Sequence, residues 1–274
     1  MTDDEHALDY SLEILTETPL HIKNNHRKAH IRWILNVVFI YLVLIVLTCL
    51  YYYAIGYSEI KIGFYCKDSS LSHVSRGNTI TTLQTMIYNF MVIPCLTVLV
   101  VECFKKANWK DKILNSAYLL AVFELGALVA FVTTRFIKTI YSEYRPTFFD
   151  VCRPDTNQNC TEGTYVESFV CLNAHKMTSN VKFEISRSFP STHTGLTLFV
   201  VIFCGYILQT RIPNQTKGLT LKHTLCFLLM LWGIFSGFTR ISDREHHWWD
   251  VFGGAIVGIT AAIYVIRTAP YLTI

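Results

Sequence analysis

The sequence predicts an all-α protein, an integral membrane bundle of six transmembrane helices, and three observations carry that prediction. Of its 274 residues, 51% are apolar and only 16% are charged, with a positive mean hydropathy of +0.33. Six apolar stretches approach or exceed the roughly 18 to 20 residues that cross hydrocarbon. Most connections between them are short, as one bundle rather than two domains requires. A soluble domain is excluded by this composition.

The stretches run from Trp33 to Tyr53, Leu83 to Val101, Leu114 to Phe136, Ser191 to Leu208, Leu221 to Phe238 and Trp248 to Ile266. No small-residue cleavage site follows the first, so it reads as a retained helix and not a removed leader. Residues 33–267 are then one membrane domain with a long outer loop at about 139–189, and residues 1–32 and 268–274 are tails. An even number of spans places both tails on one side. Lys23, Arg27, Lys28 and Arg32 precede the first span, against Lys61 and Lys67 after it, and Lys105, Lys106, Lys110 and Lys112 crowd the second connection. Those regions are expected to be cytoplasmic. Over the whole chain Lys and Arg divide almost evenly, so the orientation rests on the first helix.

This topology puts Asn159-Cys160-Thr161, a glycosylation acceptor pattern, in the outer loop. Asn214-Gln215-Thr216 fits the same pattern but falls on the cytoplasmic side and is expected to stay bare. Cys66, Cys152, Cys160 and Cys171 also fall outside, where disulfides persist, and they allow three complete pairings. Cys49, Cys95, Cys103, Cys204 and Cys226, in or near spans, read as small apolar packing residues.

Three polar clusters border the spans, all on the outer side. Lys138 and Arg145 follow the third; they are seven residues apart, so they share a face if that helix continues past the membrane. Taken singly, either reads better as an interfacial cation. Pro190-Ser191-Thr192-His193 opens the fourth span as a helix start, where free N–H groups and the dipole favour an anion and His193 lies close enough to move a proton. Arg240, His246 and Asp250 join the fifth and sixth. His246 and Asp250 are four apart, so the carboxylate can hold one imidazole nitrogen protonated and leave the other free to attack. Arg240 offers a planar fork to phosphate oxygens.

Lys138-x6-Arg145-Pro146, Pro190-Ser191-Thr192-His193 and Thr239-Arg240-x5-His246-x3-Asp250 together resemble the three-part signature of the type 2 phosphatidate phosphatase superfamily. Gly63-Phe64-Tyr65-Cys66, Asp150-Val151-Cys152, Asn159-Cys160-Thr161 and His246-His247-Trp248 extend the resemblance toward its animal lipid phosphate phosphatase branch. The resemblance implies removal of phosphate from lipid phosphate monoesters such as phosphatidate, lysophosphatidate, sphingosine phosphate or ceramide phosphate, at an extracytoplasmic active site. It implies no metal and no other cofactor. His246 would be the nucleophile of a phosphohistidine intermediate, Asp250 its orienting partner and His193 the general acid and base. Lys138, Arg145, Ser191, Thr192 and Arg240 would hold the phosphoryl oxygens. Partners are then the lipid phosphate and membrane lipids, not nucleic acid, and self-association is compatible with the fold. The plasma membrane is the expected location and an internal membrane the alternative.

Two positions depart from the signature. Thr192 stands where glycine is usual, and a β-branched residue there is costly if the backbone needs φ above zero. That departure supports a second reading, a lipid-phosphate-binding or signalling protein with weakened catalysis. Thr239 replaces serine and keeps the hydroxyl. His247 points about 100° away from its neighbour on a helix and reads as a bystander, and Glu124, inside the third span, stays unassigned.

Overall fold

The computed structural model describes residues 62–156, 159–269 and 272, together with 42, 46 and 49. The N-terminal tail and the first anticipated span, residues 33–53, otherwise lie outside the described residues. Residues 47–274 form one unit, whose helices and loops build the site.

Five helices of this unit are long and apolar enough to cross a membrane. Helix α1 (Thr82–Phe104) starts at a capping box in which the Thr81 hydroxyl and the Gln84 side chain satisfy each other's main-chain N–H. It contains a π-helical turn at Tyr88–Val92. Helix α2 (Trp109–Ile140) has 32 residues, about 48 Å at 1.5 Å per residue, and so overshoots a hydrocarbon core of about 30 Å. The short helices α3 (Phe148–Cys152) and α4 (Ser179–Ile185) lie in the long loop before α5 (Thr192–Arg211), α6 (Thr216–Ser242) and α7 (Trp248–Thr268). These agree with five of the six stretches read from the sequence. Phe227, Leu228, Leu231, Ile234 and Phe238 stand exposed along α6, a contiguous apolar face of the kind lipid covers.

Helix α5 is the hub, packing against α7, α6, α2 and α1. Gly254 and Gly258 of α7 make its closest approach possible: a Cβ at either would collide with the Ser191 or Gly195 carbonyl, the small-residue packing that lets membrane helices touch backbone to backbone. Beside it Asn89 donates to Thr197 Oγ1 at 2.9 Å and accepts from Trp232 Nε1 at 2.9 Å. Ser236 Oγ lies 3.1 Å from Thr197 Oγ1. These polar groups are satisfied within the bundle, as burial requires. Glu124 is exposed and takes no part in that network.

The loop elements form a second small core. Strands β1 (Phe64–Tyr65) and β2 (Tyr165–Val166) pair antiparallel, and Phe64, Tyr144, Phe148 and Phe149 bury their rings together. Cys66 is bonded to Cys160, and Cys152 to Cys171, which selects one of the three pairings.

Candidate active site

Helices α2 and α6 end, and α5 and α7 begin, at the same end of the bundle, and all three sequence clusters therefore meet there. Lys138, in the last turn of α2, is 1% exposed. Its ammonium donates to the Arg187 carbonyl at 2.6 Å and the Ser188 carbonyl at 3.0 Å. The anticipated continuation of α2 to Arg145 does not occur. Tyr141 turns extended, and the chain pairs with the segment before α5 through Glu143 N to Ser186 O at 3.1 Å and Arg145 N to Ile185 O at 3.0 Å. Tertiary pairing, not helical periodicity, thus places Arg145.

Arg145 is fully engaged by acidic partners. Its Nε donates to the Glu184 main-chain carbonyl at 2.9 Å, Nη2 to the Glu184 carboxylate at 2.8 Å, and Nη1 to Glu245. Burial alone would raise the Glu184 carboxyl, but Arg145, Lys138 and Arg135 overcome it and hold the group at about 2.

Ser191 caps α5: its Oγ accepts from Thr194 N at 3.4 Å and Thr194 Oγ1 at 3.1 Å. Its own amide donates to the Asp250 carbonyl at 2.9 Å, joining the second cluster to the third. Thr192 is the first residue of the helix, and it is not among the residues with positive φ. The glycine expected there is therefore not needed for backbone freedom. Thr192 Oγ1 is buried without a hydrogen bond among the described residues. His193 Nε2 lies 3.2 Å from Thr82 Oγ1, at the start of α1, and within electrostatic reach of Arg240, Arg145 and Lys138.

Arg240, near the end of α6, donates through Nη2 to the Ile80 carbonyl at 2.9 Å and lies 3.4 Å from Asp243. The main-chain carbonyl of Arg240 accepts from the amides of Glu245 and His246 at 3.1 and 3.2 Å, and Arg244 takes the left-handed conformation at φ 60°. That tight turn returns His246 to the site. His246 is 3% exposed and Asp250 fully buried. His246 Nδ1 faces Asp250 Oδ2 at 3.4 Å and Ser188 Oγ at 3.3 Å. Asp250 Oδ2 also accepts from the Ser188 hydroxyl and from the His247 amide at 2.8 Å. Burial drives the His246 imidazole down to about 3, with Arg145 and Lys138 adding to the shift against the Asp250 hydrogen bond. At neutral pH it is therefore uncharged, the form in which a ring nitrogen can attack.

All the sequence-derived residues except Asn159 gather here, and Asn159 stands exposed in the loop beside the bonded Cys160. The sequence reading missed Ser188, Glu184, Glu245 and Glu143. Trp249 Nε1 donates to Glu143 Oε1 at 2.7 Å, and burial together with the neighbouring Asp250 charge raises the Glu143 carboxyl. Glu143, His247 and Asp250 offer atoms within 4.8 Å of one another, a spacing open to a cation, although Asp250 is already the partner of His246.

Residues 116–274 match the family model described as the PAP2 superfamily. The chain is similar to a putative phosphatidate phosphatase of Drosophila melanogaster, 27% identical over 77% of this chain and 65% of that protein. It is 31% identical to phospholipid phosphatase 2 of Mus musculus, over 76% of this chain and 75% of the relative. It is 29% identical to phospholipid phosphatase 1 of Rattus norvegicus, over 74% and 73%. The chain thus spans about two thirds of the length of the Drosophila relative. No solved structure matches it. With the larger part of its length matched by that model and the motif residues converging at one end of the bundle, the chain belongs to the PAP2 superfamily.

Proposed function

We propose that this protein is a lipid phosphate phosphatase that hydrolyses phosphomonoesters such as phosphatidate, lysophosphatidate, sphingosine phosphate or ceramide phosphate through a phosphohistidine. The observation that carries the reading is the buried His246, with Nδ1 facing Asp250 and Ser188. Nε2 attacks phosphorus while the bond to the lipid oxygen breaks, and His193 gives that oxygen its proton. Water then attacks the phosphohistidine, His193 takes the water's proton, the N–P bond breaks, and inorganic phosphate leaves.

Lys138, Arg145 and Arg240, with the hydroxyls of Ser191 and Thr192 at the start of α5, neutralise and hold the equatorial oxygens. Phosphoryl transfer asks chiefly for positioning and charge neutralisation, so fixed cations can serve in place of a metal. In the bilayer the site faces away from the cytoplasm, with both tails cytoplasmic, six spans, Asn159 glycosylated and the plasma membrane as location. The weakened-catalysis reading loses its support, because Thr192 occupies ordinary helical backbone.

Membranes containing the full chain, assayed with a chelator against a panel of lipid phosphates, are expected to release phosphate, and His246→Ala membranes are not. Equal release by that variant would sink the phosphohistidine mechanism.

A further inference from the structure

We infer that Ser188, two residues before the second motif, is a positioning residue that fixes both the Asp250 carboxylate and the tautomer of His246; this rests on the phosphohistidine reading above. Ser188 is fully buried, and each of its polar groups reaches a different part of the site. Its amide donates to the Glu143 carbonyl at 2.8 Å. Its carbonyl receives the Lys138 ammonium at 3.0 Å. The hydroxyl meets both Asp250 Oδ2 and His246 Nδ1, the latter at 3.3 Å. No other described residue outside the third cluster hydrogen-bonds the Asp250 carboxylate and the His246 ring together.

The roles at that hydroxyl follow from counting hydrogens. A carboxylate only accepts, and a hydroxyl has one hydrogen to give. Because the Ser188 O–H is donated to Asp250, its oxygen can only accept from His246 Nδ1. Asp250 Oδ2, 3.4 Å away, also only accepts. Both neighbours of Nδ1 are thus acceptors, and a neutral imidazole answers by carrying its single hydrogen on Nδ1. The lone pair is left on Nε2, where attack on phosphorus requires it. Without the hydroxyl, Asp250 keeps the His247 amide but loses the tether that aims it at the ring. Groups that orient metal-ligating histidines in the same way typically contribute about 10- to 100-fold to activity, and the same order is expected for Ser188.

The test compares Ser188→Ala, Ser188→Thr, Asp250→Asn and the Ser188→Ala/Asp250→Asn pair in the full chain, purified in detergent and checked for monodispersity and thermal transition. Ser188→Ala is expected to lower kcat by about 10- to 100-fold with KM unchanged, because the phosphate clamps stay in place. Ser188→Thr restores the hydroxyl and is expected to restore most of kcat. In the Asp250→Asn background, adding Ser188→Ala should cost less than it does in the natural chain, because only the direct contact with His246 Nδ1 is left to lose. Wild-type kcat in folded Ser188→Ala, or an undiminished loss on top of Asp250→Asn, overturns the inference. If Ser188→Ala is not recovered folded, Ser188→Gly, which also lacks the hydroxyl, carries the same comparison, and wild-type kcat there overturns it equally. His246→Ala is the parallel control. Retained turnover in that variant defeats the phosphohistidine reading itself, whereas a dead His246→Ala beside a normal Ser188→Ala defeats only the role of Ser188.

Discussion

Arg145 donates to Glu245, the residue immediately before His246, so the cation proposed to hold phosphate is held by a carboxylate next to the proposed nucleophile. A phosphate dianion bound by Arg145 would have to displace that carboxylate. Glu184 grips the same guanidinium from two other points, so its orientation does not depend on Glu245. Glu245→Gln is therefore expected to tighten product inhibition by inorganic phosphate. The pair is partly buried, with Arg145 15% and Glu245 21% exposed, and an ion pair of this sort is worth about 1 kcal/mol, roughly fivefold in affinity. An unchanged or weaker inhibition constant would show that Glu245 does not compete with phosphate.

The backbone contact between α5 and α7 makes a second prediction. Gly258→Ala forces a methyl into the Gly195 carbonyl, and overpacking of this kind typically costs about 1 to 3 kcal/mol. Gly205→Ala is its control, since a Cβ there meets nothing within 4 Å. Removing a mid-helix glycine should stabilise by up to about 0.5 to 1 kcal/mol. Thermal transitions in detergent should move in opposite directions for the two variants.

Acid stability follows from His246 and Glu184. The His246 value of about 3 lies below its ordinary 6.5, so the unfolded chain binds more protons between those limits. Its contribution is complete above pH 6.5 and is lost as pH falls toward 3. Glu184, at about 2 against 4.5, contributes above pH 4.5 and loses that contribution below it. The transition temperature should begin to fall near pH 6.5, and His246→Gln should make this first decline shallower while leaving the one below pH 4.5. A variant whose profile overlays the wild type would contradict the buried neutral imidazole.

These features divide cleanly into those legible in the sequence and those not. Helix spans are readable because a run of apolar residues is a local property, and the three clusters because their members sit within a few turns of one another. Arg145 is legible as a residue but not in its position, which is set by pairing with Ile185, forty residues away, and not by a helix. Ser188, Glu184 and Glu245 carry no local signal at all. A serine two residues before a proline, or a glutamate in a short loop helix or turn, is unremarkable until folding sets it against Asp250 or Arg145. The cysteine pairing is hidden from the sequence for the same reason.

The two disulfides should differ in weight. Cys152 and Cys171 are 19 residues apart and Cys66 and Cys160 are 94 apart. Loop-closure entropy assigns about 3 kcal/mol to a loop near 15 residues and about 4.7 to one near 100. Cys66→Ser is thus expected to lower the thermal transition more than Cys152→Ser. The reverse order would mean that the aromatic cluster around Cys152, and not chain entropy, sets the loss.

Thr192 gives the sharpest test of how the phosphate is held. Its backbone is helical, so Thr192→Gly relieves no strain and instead removes the buried hydroxyl that has no partner among the described residues. If that hydroxyl donates to a phosphoryl oxygen, Thr192→Val, which keeps the shape and loses the donor, should weaken inhibition by orthovanadate or phosphate. The expected change is about 1.5 to 3 kcal/mol for a hydrogen bond to a charged group, roughly 10- to 100-fold. Thr192→Ser should hold close to the wild-type value. Thr192→Gly should resemble the valine variant and not exceed the wild type. A glycine variant more active than the natural chain would instead identify the threonine side chain as an obstruction to phosphate.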